Sequence, residues 1–121
     1  MMRRSWRPAV FALALAATTA IASEDSKEGS YVGEVVDLHC YVTRGARGAE
    51  HAGCANACIA RGVTPGLVTA DGKAYLLLGE KPFSPKDTLA GRAGTTVTVR
   101  GTLVERGGMS ALQVRSIEGA P

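Results

Sequence analysis

Four residues carry most of the chemistry this sequence offers: Cys40, His51, Cys54 and Cys58. On a helix beginning near Ala49, His51, Cys54 and Cys58 fall at i, i+3 and i+7 and share one face. At about 100° per residue they span a sector of about 60°, with Ala52, Ala55 and Ile59 beside it. Together with Cys40 they form a Cys₃His set suited to tetrahedral Zn²⁺. Cu(I), a soft ion, accepts two or three such thiolates. Three thiolates and an imidazole around Zn²⁺ leave one negative charge, which Arg44 or Arg61 would offset. A structural disulfide is the second use of the same residues. Cys54 and Cys58 lie one turn apart, too far for an unstrained bridge on a regular helix. The bond would then join Cys40 to one of them and leave one thiol beside His51. The third use is thiol oxidoreductase chemistry, with that thiol activated by His51, Arg44 or Arg47. A disulfide by itself gives His51 no reason to share the cysteine face, which favours the metal reading.

Other candidates carry less. His39 precedes Cys40, but neighbouring strand residues point to opposite faces. Glu34 and Asp37, three apart on a strand, do not pair as acid and base. Arg44, Arg47 and Arg61 could form an anion-binding patch, although solvated charges are the commoner outcome. Met109, beside Gly107-Gly108, is a candidate copper thioether. The sequence contains no Gly-x-x-x-x-Gly-Lys, Gly-x-Ser-x-Gly or His-Glu-x-x-His. No catalytic set stands beyond the cysteines, which points to a non-enzymatic protein.

The elements that must position these residues follow from pattern. Ser23 to Ser30 is polar and patternless, a disordered lead-in. Tyr31 to Leu38 reads as a first strand with Cys40 at its end, and Thr43 to Gly48 as a loop. The alanine-rich stretch from Ala49 to Arg61 reads as a helix stopped by Gly62, weakened at Gly53 and Asn56. Leu67–Ala70 and Lys73–Leu78 flank Asp71-Gly72 as a hairpin with a type I′ turn. Pro82 and Pro85 punctuate a loop, and Ser84 to Ala90 begins a short helix with Ser84 as N-cap and Pro85 at N1. Thr95–Val104 and Ser110–Ile117 form a second hairpin around Gly107-Gly108, with Gly101 as a bulge or bend. Five strands with a helix between the third and fourth is the order of an OB-fold barrel. The expected fold is mainly β: a small five-stranded OB-like barrel over residues 31–121, with a helix inserted after the first strand.

The run Val36-Asp37, Cys40-Tyr41, His51, Cys54-Ala55, Cys58, Gly62, Pro65-Gly66-Leu67, Asp71-Gly72 and Tyr75 resembles a group of small exported bacterial proteins. Its most specific part is the Cys-Tyr…His-x₂-Cys-Ala-x₂-Cys core. The resemblance implies location and fold, and no particular chemistry. A looser similarity, of architecture only, is to periplasmic copper-carrier OB barrels. Those bind with Met, His and Trp on barrel strands, whereas the single Trp here is Trp6.

Composition bounds the remainder. The chain has 121 residues and a formal charge of +3. Residues 1–22 have a basic start, an apolar run and the ending Ala20-Ile21-Ala22, the marks of a signal peptide. Arg3 and Arg4 loosely suggest twin-arginine export, but Arg7 interrupts that pattern and favours the general secretory route. The apolar run is too short for a membrane span. Removing Arg3, Arg4 and Arg7 leaves a neutral domain, which takes away the argument for a nucleic-acid partner. The expectation is a periplasmic or secreted bacterial protein. Its ligand or partner is not specified by the sequence. With 15 glycines and few aromatics, such a domain calls for a covalent or metal staple.

Overall fold

A computed structural model describes residues 27–79 and 84–119. The proposed signal peptide, the start of the lead-in and Pro82 lie outside the described residues. The order is β1 (Lys27–Asp37), α1 (Leu38–Arg44), a 3₁₀ turn (Ala49–His51), α2 (Ala52–Ala60), β2 (Pro65–Thr69), β3 (Ala74–Gly79), α3 (Pro85–Thr88), β4 (Thr96–Arg106) and β5 (Met109–Gly119). The strands close a barrel in the order β1-β2-β3-β5-β4, with β1 completing the circle against β4. All pairings are antiparallel except β3 with β5. This is the expected OB-like barrel with helices after the first strand.

β1 serves two neighbours in turn. Lys27 to Glu34 pair with Leu103 to Thr96 of β4, and Gly33 to Asp37 pair with Thr69 to Pro65 of β2. Gly33 lies where the two ladders overlap, and a Cβ there would stand 2.6 Å from the Val68 carbonyl oxygen. The strand therefore starts four residues before Tyr31. Lys27 to Ser30 are strand rather than lead-in, because the long β4 supplies backbone partners that override their polar composition.

Alternation along the strands fills the barrel. Val35, Leu67, Tyr75, Leu77, Val97, Val99, Leu112 and Val114 point inward, joined by Leu89 after α3 and by Ala55 and Ile59 of α2. The Tyr31 and Tyr75 rings meet at 6.0 Å and 52°, a tilted contact favoured by aromatic quadrupoles. Gly101 sits at a register break next to Arg100, and a Cβ there would collide with the Gln113 carbonyl oxygen. The bulge expected at this glycine is present.

The two hairpin turns divide differently from expectation. Thr69 donates its N–H to Lys73, which leaves Ala70, Asp71 and Gly72 as a three-residue loop. Only Gly72 has positive φ, at 81°. Type I′ needs two such residues, and Asp71, whose carboxylate is bonded to the Thr69 hydroxyl, lacks positive φ, which rules that turn out. The type I′ requirement is met instead at Gly107 and Gly108, φ 58° and 78°, between the paired residues Arg106 and Met109.

Candidate metal centre

Between Asp37 and Pro65, which pair across β1 and β2, the chain leaves the barrel and returns. All four proposed ligands sit on this excursion. Cys40 is not at a strand end. Asp37 keeps extended dihedrals (φ −82°, ψ 128°) and caps α1, its Oδ1 accepting the Cys40 N–H at 2.8 Å. Asp is among the preferred N-cap residues because its oxygen satisfies an orphan amide of the first turn. Gly45 ends α1 in the left-handed region, φ 65°, donating its N–H to Tyr41 O at 2.8 Å. Cys40 is therefore on a helix, and the loop starts at Gly45 rather than at Thr43.

Glu34 fixes the loop that follows. Its Oε2 accepts the Gly48 N–H at 2.8 Å, and its Oε1 pairs with Arg47 at 3.2 Å. The expected helix from Ala49 to Arg61 forms in two parts, a 3₁₀ turn ending at His51 and then α2. The face from His51 to Cys58 is thus not continuous. Asn56, which disfavours a helix by itself, has a tertiary partner: its Oδ1 accepts the Ala93 N–H at 2.9 Å.

The four residues, with Asp37, gather as two trios that share Cys40. Ligand atoms of Cys40, His51 and Cys54 all lie within 4.8 Å of one another, as do those of Asp37, Cys40 and Cys58. Cys40 is buried, His51 and Cys58 are half-buried, and Cys54 is exposed. All three cysteines are free thiols. The arrangement can hold a cation with two sulfurs and a nitrogen, and Cys58 enters through Cys40 rather than through His51.

Asp37 is the functional residue that sequence reasoning missed. It is fully buried, and its Oδ2 lies 3.0 Å from His51 Nε2. Burial opposes its charge, but bonds from the Cys40 amide and thiol and from the His51 ring prevail and hold the carboxyl below its ordinary value. The Asp37–His51 contact at Nε2 has the form of the carboxylate–histidine pairs common at metal sites. Cys58 is affected oppositely. Burial, reinforced by Cys54, Asp37 and Cys40, pushes its thiol up.

Arg44, one turn after Cys40, donates from Nη2 to Cys40 Sγ at 2.8 Å. That bond raises the guanidinium's own pKa. Arg47 is engaged with Glu34, and Arg44 with Cys40. Met109 stands 60% exposed at the start of β5. Among the described residues, no helix is long and apolar enough to cross a membrane. No protein-family model, curated protein or solved structure matches the chain.

Proposed function

We propose that this is an exported, non-enzymatic protein that binds one soft or borderline metal ion, Zn²⁺ or Cu(I), and passes it on. The observation that carries this reading is the convergence of Cys40, His51 and Cys54 within 4.8 Å, with one thiol exposed and another buried. A purely structural zinc site is normally closed on all four sides. An exposed ligand sulfur gives an acceptor a place to take hold. Cys40, His51 and Cys54 hold the ion, and Cys58 supplies a fourth donor for Zn²⁺ or stays protonated beside three-coordinate Cu(I). Asp37 orients His51, and Arg44 offsets the thiolate charge. Export rests on the composition of residues 1–22.

Native mass spectrometry of purified protein reconstituted with each ion tests the reading. One ion per chain is expected, with retention lost in Cys40→Ser and weakened in His51→Ala. Full retention by the Cys40→Ser chain would overturn it. Fractionation of the producing cell, with the mature N-terminus read at Ser23, tests export.

A further inference from the structure

Cys40 is the only sulfur shared by both trios, and this places a second chemistry on the same residues. Cys54 and Cys58, four apart on α2, have Cβ atoms about 6 Å apart, beyond the roughly 4 Å a disulfide needs. A bond between them would require the helix to unwind. Cys40 comes from α1, so a bridge from it leaves α2 intact; its sulfur lies within 4.8 Å of those of both Cys54 and Cys58, and Cys54 is the more exposed of the two. The sulfurs of Cys40 and Cys54 also differ in access. Cys54 is open to solvent, and Cys40 is only 3% exposed. Arg44 faces the buried one with its Nη2 at 2.8 Å.

We propose that Cys54 and Cys40 form a dithiol that exchanges with external low-molecular-weight disulfides of the glutathione class. The Cys54 thiolate attacks one sulfur of the external disulfide. A mixed disulfide forms on Cys54, and the external S–S bond breaks to release one thiolate. Cys40, its proton passed to solvent, then attacks the Cys54 sulfur. The Cys40–Cys54 bond forms, the mixed bond breaks, and the second external thiolate leaves. Two electrons pass from the protein to the external disulfide, and both released thiolates take up protons. Arg44 is a positioning residue for the second step, holding the Cys40 sulfur beside a positive charge. The bridge and the metal make exclusive demands on the same two sulfurs. That last point alone rests on the metal reading above.

The test incubates the protein purified from the producing cell, free of metal, with oxidised glutathione and maps the products by mass. Wild type should form a Cys40–Cys54 bridge without a lasting adduct. Cys40→Ser should accumulate glutathione on Cys54, and Cys58→Ser should behave as wild type. Cys54→Ser changes only an exposed side chain, which keeps the test valid should the buried Cys40→Ser chain fail to fold. It should gain neither adduct nor bridge. Arg44→Ala should hold the mixed disulfide at least about tenfold longer, with the first step unchanged. A bridge mapped to Cys58, or unchanged bridging in Cys54→Ser, would overturn the proposal. Preloading with Zn²⁺ should slow exchange. A chain that exchanges as described but retains no ion would defeat the metal reading and leave the dithiol standing.

Discussion

Asp37 engages both its oxygens, one on the α1 amide and one on His51. Asp37→Ala removes a helix cap, worth about 1 kcal/mol, and strands a half-buried histidine, for about 2–3 kcal/mol in total. Asp37→Asn caps equally well and should recover about 1 kcal/mol of that in urea titrations. Its ion affinity should still fall by about 10–100-fold, since the amide no longer supports the ring as a carboxylate does. The pH dependence has a definite sign. The folded carboxyl lies below its unfolded value of about 4, so its ionised form stabilises the fold above that pH. That contribution is lost as pH falls through the folded value. The gap in unfolding free energy between wild type and Asp37→Asn should therefore narrow from about pH 5 to pH 3. A widening gap would contradict the assigned role. Sequence reading found Cys40, His51, Cys54 and Cys58 because sulfur and imidazole are rare and their spacing is visible. It passed over Asp37 because an N-cap keeps strand dihedrals, so Val35-Val36-Asp37-Leu38 reads as unbroken strand.

Two glycines distinguish helix from barrel. Gly53 lies on the exposed side of α2, where an added Cβ meets nothing within 4 Å. Gly53→Ala should stabilise the protein by about 0.5–1 kcal/mol, seen as a higher urea midpoint. Gly101→Ala places a Cβ against the Gln113 carbonyl on the facing strand. It should cost about 3 kcal/mol, the upper range for overpacking, and lower the thermal midpoint accordingly. Both hairpins and the Gly101 bulge were legible from alternation and turn residues. The first hairpin's loop length was not, since Asp-Gly also fits a three-residue loop when Asp71 bonds Thr69. The early start of β1 was hidden too. Its pairing with β4 is long-range, while its local composition, Lys27-Glu28-Gly29-Ser30, is that of a coil.

At the scale of the molecule, the sulfur ligands and the barrel core are separate. The contiguous barrel core includes none of the proposed ligands, although Cys40 is itself buried, and α2 contributes Ala55 and Ile59 to it. The apo protein should therefore stay folded on chelation, which tempers the expectation that so glycine-rich a domain depends on a staple. Ion binding should add to that stability, about 2.7 kcal/mol at a free concentration of 100 times Kd. Calorimetry with and without a chelator reads that shift, and His51→Ala should remove most of it. Five strands in order were enough to suggest the barrel. The parallel β3–β5 seam that closes it leaves no local mark, because it joins residues brought together only by the finished fold.

The ends of the excursion matter for a different reason. Asp37 and Pro65 are cross-strand partners, so the ligand-bearing segment begins and ends about 5 Å apart. A stretch with adjacent ends is transplantable. Spliced between two antiparallel strands of an unrelated host barrel, residues 37–65 would carry the capping aspartate, Arg44 and all four proposed ligands with them. The host would have to supply the Glu34 anchor of the loop, a donor for Asn56 in place of the Ala93 amide, and an apolar bed for Ala55 and Ile59. The chemistry of this protein is thus written as a portable cassette, and the barrel beneath it is a mount that another scaffold could replace.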